Sequence, residues 1–318
     1  MEMTKQMEEI QKLYNGFDFK GFSSMEETIN ETKEYVKNSR DGNRIIFPTK
    51  WERLNKQLMG GLQPGKLYTI AARPGAGKSQ YSNQLLFDVL DLAEKNKRKM
   101  TVFYFTFEMP GYQQLLRIAS GDLSLSVYDI IKVSTNQEEV KSLHEILDKF
   151  KRYPIFFYNV PETLVFMKNK ITQFCEANPD TTLICVLDHT RLVRGDNREE
   201  MQRLADITKM MMEQQAKYQI IDILISQLNR NIESNERANN QYQPQLSDIF
   251  GSDSIAQDSH VVMMINRPYD MYGIEEYYCG EQPKGLMAIH IEKNREGELG
   301  MIPMQTHYPS FKLTERTK

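Results

Sequence analysis

Residues 70–80 read IAARPGAGKSQ, with the apolar run LYTIAA ending at residue 72 and YSNQLLFDVLDLAEK following at residues 81–95. The apolar run predicts a buried strand, and the spacing of Leu, Phe and Val after it predicts a helix. Between them lies a Gly-rich turn that ends in Gly77-Lys78-Ser79. A helix start leaves backbone N–H groups without intrahelical partners, and a glycine turn lets more of them converge on one point. Such a point attracts phosphate. Ala72, Arg73, Pro74, Gly75, Ala76, Gly77, Lys78 and Ser79 are therefore read as a phosphate-binding loop in its required strand–loop–helix setting. Lys78 would reach the outer phosphates of ATP, and the Ser79 hydroxyl would ligate Mg²⁺. Ala72 stands where the loop pattern places its first glycine, and a small side chain still fits.

Outward from the loop, strand and helix patterns alternate. Strands are expected at LYTIAA, MTVFYFTFE, PIFFYNV, TLICVLD, IIDILISQ, HVVMMINR and MAIHIEK. Several are near-continuous apolar runs, as in strands covered on both faces. Amphipathic segments such as QEEVKSLHEILDKFKRY and MQRLADITKMMMEQQAKY separate them. The pattern predicts an α/β fold with a mainly parallel central sheet flanked by helices, in residues 45–318. Residues 1–44 read as a short helical arm: Met3, Met7, Ile10 and Tyr14 share one helical face, and Ser24 and Glu27 have capping-box spacing before a second helix. The two helices either pack on their own core or pack on a neighbouring subunit. Residues 229–245, NRNIESNERANNQYQPQ, are the most polar loop, and their length marks a functional or mobile segment.

In a parallel sheet, ligands gather at the carboxyl ends of the strands. Asp188 ends TLICVLD, where a carboxylate can hold Mg²⁺ or cap the next helix. Glu108 ends TVFYFTFE and is placed to polarise an attacking water. Gln227 ends IIDILISQ, where an amide can bond a γ-phosphate or face solvent. Lys293 ends the strand MAIHIEK and Arg295 stands two residues on, so both point the same way on extended chain. The spacing fits a phosphate, in this subunit or across an interface, and fits a solvated basic hairpin as well. His189 and His260 have no partner at metal-ligand spacing and read as structural.

Composition narrows the class. The chain has 318 residues, 40% hydrophobic and 26% charged, an ordinary globular balance. No apolar run approaches the roughly 20 residues that cross a membrane. The start MEMTKQMEEIQK has no apolar segment of a secretory signal. Cys175, Cys185 and Cys279 are too few and too scattered for a disulfide framework or a zinc pattern, which suits a reducing cytoplasm. A net charge of −3 gives no support to bulk electrostatic coating of nucleic acid, and leaves room for local basic contacts. Arg191, Arg194, Arg198 and Arg203 are diluted by Asp196, Glu199 and Glu200, and Arg230 and Arg237 are read as facing Glu233 and Glu236. Pattern alone makes each of these a solvated charged surface.

The order of FPTKWERLNKQLMGGLQPGKLYTIAARPGAGKS, FTFEMPGYQQLLR, VLDHTRLV, LISQLNR, LSDIFGSDSIAQDSHVVMMINR and IEKNREGELG resembles the RecA-like motor domain of DnaB-type replicative helicases, over about residues 45–312. The resemblance implies an ATP-dependent hexameric ring that moves along single-stranded DNA. It implies Glu108 as the residue that activates water, Arg117 against the nucleotide base, Asp188 at the metal, Gln227 as γ-phosphate sensor, and Lys293 and Arg295 as a basic pair reaching the neighbouring subunit's ATP. It offers Arg191, Arg194, Arg230, Arg237, Gly251 and Ser252 as contacts to the strand, with primase and loader proteins as further partners, in the cytoplasm of a bacterial cell or a phage-infected host. Two departures stand out: Phe250 replaces the basic residue, and Asp253 the glycine, of the segment that touches the DNA backbone in the family. Residues 1–44 are too short for the family's N-terminal primase-interacting domain. An oligomeric RecA- or KaiC-like ATPase that acts on DNA or protein without unwinding is the alternative.

Overall fold

The phosphate-loop strand lies in the middle of a nine-stranded sheet, with helices on both faces. The structure, a computed structural model, describes Leu13 and residues 21–107, 109–132, 136–188, 200–277, 280–307, 310 and 312–316. The chain divides into two compact units, residues 1–45 and 46–318.

In the first unit, α1 (Met25–Arg40) begins at Ser24. The Glu27 N–H donates to the Ser24 hydroxyl at 3.2 Å, and the Ser24 N–H donates to the Glu27 carboxylate at 2.7 Å. That reciprocal pair satisfies two helix-start donors and explains why the helix begins there. Met25, Ile29 and Val36 are exposed along it. Of the helix expected over residues 1–14, all but Leu13 lies outside the described residues.

The second unit carries the strands β1 (Lys66–Ala72), β2 (Met100–Thr106), β3 (Ile155–Tyr158), β4 (Thr182–Asp188), β5 (Ile221–Gln227), β6 (Val261–Asn266), β7 (Leu286–Asn294), β8 (Gly300–His307) and β9 (Lys312–Glu315). Between them run α2 (Glu52–Gln57), α3 (Lys78–Lys95), α4 (Gly111–Leu123), α5 (Val127–Ile131), α6 (Gln137–Phe150), α7 (Leu164–Ala177), α8 (Glu200–Tyr218), α9 (Ser252–Asp258) and α10 (Pro268–Tyr272). The strand order is β3-β2-β4-β5-β1-β6-β7-β8-β9. Pairings from β3 to β6 are parallel, and those from β6 to β9 are antiparallel. The α/β architecture read from the sequence is thus present, with an antiparallel wing added to it.

The wing holds the two strands that the pattern did not show. β8 contains Pro303, normally a mark of an edge strand. Here the Pro303 carbonyl accepts from the Arg316 N–H at 2.9 Å, on the side away from β7, so the missing Pro N–H costs no bond to β7. β9 has only four residues, too few for a period to show.

Alternation along β1 explains its unbroken burial. Tyr68, Ile70 and Ala72 join one core with Tyr81, Leu85 and Leu86 of α3, while Leu67 and Ala71 join another with Ile207 and Met211 of α8. Both faces are covered, so the strand reads apolar throughout. Cys175 and Cys185 are buried free thiols in the second core, and Cys279 lies outside the described residues. Among the described residues no helix is long and apolar enough to cross a membrane.

One buried acid gives the fold a pH signature. Asp222 of β5 is fully buried, accepts from Gln215 Nε2 at 2.6 Å, and leaves its Oδ1 without a partner. Burial pushes its carboxyl up to about 8. In the unfolded chain it titrates near ~3.9. Between those values the folded chain holds a proton that the unfolded chain has lost. The contribution is therefore complete at low pH and is lost as pH rises through the folded value. Urea titrations of the wild type should show stability falling by up to about 1.4 kcal/mol per pH unit between about pH 5 and 8, and Asp222→Asn should flatten that slope. Parallel profiles for the two proteins would show that Asp222 is ionised in the fold.

Candidate functional site

The site begins where β1 ends. Gly77 caps α3 with φ 98°, and Gly75 has φ 78°, both in the region that favours glycine. Gly77 has a second constraint: a Cβ there would lie 2.6 Å from Met287 Cε. Around Gly75 the corresponding space is open, so only its backbone conformation demands glycine. Ala72 is fully buried extended strand, which explains why a glycine is not required at the first loop position. Lys78 is the first residue of α3, and its Nζ donates to the Ala72 carbonyl at 3.2 Å, across the base of the loop. Ser79 follows, half-buried, at the helix start.

Strand register gathers the other residues at this edge. Ala72 is level with Gln227, Ile225 with Asp188, and Asp188 with Thr106. The carboxyl ends of β2, β4, β5 and β1 are neighbours, so Asp188, Gln227 and the phosphate loop share one rim of the sheet. Asp188 is 3% exposed, and its carbonyl accepts from the Phe107 N–H at 2.9 Å. Glu108, the next residue, lies outside the described residues. Among the described residues no cluster of three or more metal-ligating side chains forms. Mg²⁺ in a nucleotide site usually takes one or two protein oxygens besides phosphate and water, and the Ser79 hydroxyl with the Asp188 carboxylate is a donor set of that kind.

A buried polar chain braces this rim. Tyr104 donates to Asn83 Oδ1 at 3.1 Å, Asn83 Nδ2 to Gln114 Oε1 at 2.5 Å, and Gln114 Nε2 to the Thr106 hydroxyl at 3.4 Å. The Thr106 hydroxyl donates to the Met109 carbonyl at 2.5 Å, spanning position 108. Burial, reinforced by the nearby Asp188 charge, pushes the Tyr104 phenol above its ordinary range. These four side chains tie α3 to the tip of β2 and to α4. Sequence reading missed them, because a buried Asn or Gln in an amphipathic helix has the same local pattern as an exposed one. Arg117 of α4 lines a cavity of about 400 Å³ along the flank of α3, beside Gln80, Gln84, Phe87 and Leu313.

Lys293 and Arg295 are on the other rim. Lys293 is level with Val262 of β6, and Val262 with Thr69 of β1. The Arg295 N–H donates to the His260 carbonyl, and the His260 N–H to that of Leu67. Arg295 is thus level with a residue five places before Ala72, roughly 17 Å along the strand at ~3.3 Å per residue. Their side chains bind the end of α9: Lys293 Nζ donates to the carbonyls of Ala256 and Gln257 at 2.5 and 2.8 Å, and Arg295 Nη2 to that of Gln257 at 2.6 Å. Cations suit a helix C-terminus, where carbonyls lack partners. His260 is structural as expected: its Nδ1 accepts from the Leu67 N–H at 3.1 Å, and burial, helped by Arg295, pushes its ring down to about 4. His189 lies outside the described residues.

The polar segment after Gln227 is more ordered than a loop reading implies. It folds as three short 3-10 turns, Arg230–Glu233, Asn235–Asn240 and Leu246–Asp248, and returns to β5, where the Phe250 N–H donates to the Gln227 carbonyl at 3.1 Å. One expectation is corrected here. Arg237 does not face Glu233 or Glu236. Its guanidinium grips the buried Asp248 at 3.0 and 2.9 Å and also bonds the Gln243 carbonyl. Arg73 of the phosphate loop takes Glu233 instead, at 2.6 Å, and also donates to the Leu228 carbonyl at 2.8 Å. Its side chain is therefore engaged with the polar segment. Arg230 is exposed. Phe250 packs against the second core. Gly251 caps α9 at φ 69°, with Leu204 Cδ1 2.5 Å from where a Cβ would stand, and Ser252 is the first residue of that helix. Arg191 and Arg194 lie outside the described residues.

Residues 47–314 match the family model described as the DnaB-like helicase C terminal domain. Among similar proteins, the replicative DNA helicase DnaB of Buchnera aphidicola subsp. Schizaphis graminum is 29% identical over 287 residues, covering 87% of this chain and 57% of that protein. DnaB of Geobacillus stearothermophilus is 23% identical over 320 residues, covering 98% and 66%. The chain spans a little over half the length of the first of these. Among solved structures, one described as an ATPase domain superposes with a TM-score of 0.80 at 19% identity, over 93% of this chain and all of that one. A DnaB-like replicative helicase, described with its primase interactions, gives 0.76 at 20% identity, over 96% and 70%. At such identities the two superpositions speak for the fold.

Two small residues of the loop, Gly77 and Ala72, should respond differently to substitution. Gly77→Ala forces a Cβ against Met287 at a positive φ, and should destabilise by about 1–3 kcal/mol and weaken nucleotide binding at least about 10-fold. Ala72→Gly should cost only about 0.5–1 kcal/mol and leave nucleotide affinity unchanged. Urea midpoints and titration with a fluorescent ATP analogue check both, and equal effects of the two changes would contradict this account of the loop.

Proposed function

This chain belongs to the DnaB-like helicase family, and on that premise we propose that it is the ATP-hydrolysing motor of a hexameric ring that moves along single-stranded DNA and unwinds the duplex ahead of it. The loop N–H groups and Lys78 hold the phosphates, and Arg117 lies against the base. Bound Mg²⁺, held through Ser79 and Asp188, would neutralise charge on the phosphate oxygens. Glu108 polarises the attacking water, and Gln227 reads the presence of the γ-phosphate.

One observation carries the shared-site part of this reading. The phosphate loop and Arg295 occupy opposite rims of one sheet, about 17 Å apart along the strand direction alone, with Lys293 about 10 Å from the loop by the same measure. A guanidinium at Arg295 is too far from its own Lys78 to serve as a finger. If it acts on a γ-phosphate, that phosphate belongs to another copy, and such a head-to-tail contact, repeated with a rotation that closes, builds a ring. Primase and loader proteins are proposed as partners on the strength of family membership.

The grip on DNA rests on Arg230, Arg191, Arg194 and the backbone at Gly251-Ser252. Arg237 is stapled to Asp248, and Phe250 is packed where the family carries a cation, so that surface lacks two side-chain charges. This favours a second reading: an oligomeric ATPase that binds DNA or protein without unwinding.

A forked-duplex displacement assay separates the two. The helicase reading expects ATP-dependent displacement, abolished in Glu108→Gln, with turnover down at least about 10²-fold and ATP binding retained. ATP turnover stimulated by single strands with no displacement under any loading condition would support the second reading. Subunit mixing tests the shared site. Lys78→Ala and Arg295→Ala proteins, each inactive alone, should regain part of the turnover when mixed, because some interfaces then pair an intact loop with an intact finger. Mixtures that stay inactive at every ratio would remove support for a site built from two chains.

A further inference from the structure

The β1–β5 ladder ends at Ala72 and Gln227, where the chain leaves the sheet to form the phosphate loop. Beyond that point Leu228 is still held at both its backbone groups. Its N–H donates to the Ala72 carbonyl at 3.1 Å, and its carbonyl accepts from Arg73 Nη1 at 2.8 Å. The second bond continues the ladder by one residue, with a side chain supplying the donor that the turning backbone withdraws. The same guanidinium reaches Glu233 through Nε at 2.6 Å. Glu233 closes the first 3-10 turn of the polar segment. The Arg73 side chain is largely buried, 10% exposed, while the Glu233 carboxylate it holds reaches solvent.

A second tie reaches the same segment further on. Asn266 Nδ2, at the end of β6, donates to the Tyr242 carbonyl at 3.0 Å, and the Tyr242 ring stacks on Tyr272 with centroids 4.4 Å apart. Arg267, the next residue, donates to the Gly75 carbonyl of the phosphate loop at 3.5 Å. The phosphate loop therefore touches the base of the polar segment directly and its far end through β6.

We propose that Arg73 is a positioning residue that clamps the phosphate loop to residues 228–233, so that loss of the γ-phosphate is transmitted into the segment 229–248. The clamp rests on the ATPase reading above for its use, and on the two Arg73 contacts for its existence. A guanidinium suits the task because its fork serves two acceptors at fixed geometry, whereas a lysine ammonium is a single mobile point charge. Coupling of this kind needs a contiguous physical link between the two segments, and the Arg73–Glu233 bond is such a link.

Glu233→Gln is the informative variant, because Glu233 is exposed and its charge is not needed to fold the core. Hydrogen exchange followed by mass spectrometry is the measurement. Without any nucleotide, the variant should exchange faster at both residues 73–77 and 228–233. With a non-hydrolysable ATP analogue, wild type should gain protection across 228–248. In the variant that gain should shrink at least about 10-fold while affinity for the analogue stays within about threefold. Single-strand stimulation of turnover should fall with it, the KM for ATP changing little. Arg73→Lys should give a partial version of the same defects. Faster exchange confined to 230–233 overturns the clamp, and so does loss of analogue affinity in step with loss of protection, since Arg73 would then serve the phosphates directly. A wild type that neither binds nor hydrolyses ATP would sink the ATPase reading alone, and the nucleotide-free comparison would still decide the clamp.

Discussion

The pairing of β1 with β5 is the constraint on which the rest of the molecule depends. Seven consecutive residues of each strand are in parallel register, from Lys66 level with Ile221 to Ala72 level with Gln227. Both strands are buried on both faces, so a one-residue slip would send every side chain to the opposite core. That register brings Gln227 beside the last residue before the phosphate loop. Through β4 it also sets the height of Asp188. A site made of short side chains at strand tips has no other means of setting its distances, and packing of the two cores holds the register in place.

The same sheet separates the two groups of candidate site residues by its two rims. The carboxyl rim carries the phosphate loop, Asp188 and Gln227, and the amino rim carries Lys293, Arg295 and the end of α9. A basic pair that caps a helix in one chain has carbonyl partners to leave if a phosphate is presented by another. The polar segment runs between the rims, from Gln227 to α9, and is therefore the part of the chain that both can influence. Its internal staple, Arg237 on Asp248, makes it a semi-rigid body, better suited to transmitting a shift than to absorbing one.

Much of this was legible because local chemistry decided it. Ser24 and Glu27 announce a helix start through bonds that span three residues, and the strand–glycine–helix order at 67–95 announces the phosphate loop. Asp188 at the end of an apolar run could be placed on the carboxyl rim for the same reason. What escaped reading depends on contacts distant in sequence. Pro303 looks like a break until β7 and Arg316 are in place around it. Asn83 and Gln114 look like solvent-facing residues until α4 packs on α3. Arg237 found Asp248 and Arg73 found Glu233 because three 3-10 turns fold the polar segment back on itself, and no period in the sequence marks turns so short.

The central claim is that each ATP site is completed by a second chain. It is tested most directly by imaging the particles formed with a non-hydrolysable ATP analogue and a single-stranded oligonucleotide. The account predicts six-membered rings threaded by the strand. In them, Arg295 of one copy has left the Gln257 carbonyl and lies against the γ-phosphate held by Lys78 of the next. Nucleotide bound by one chain alone, with Arg295 still on Gln257, would contradict it.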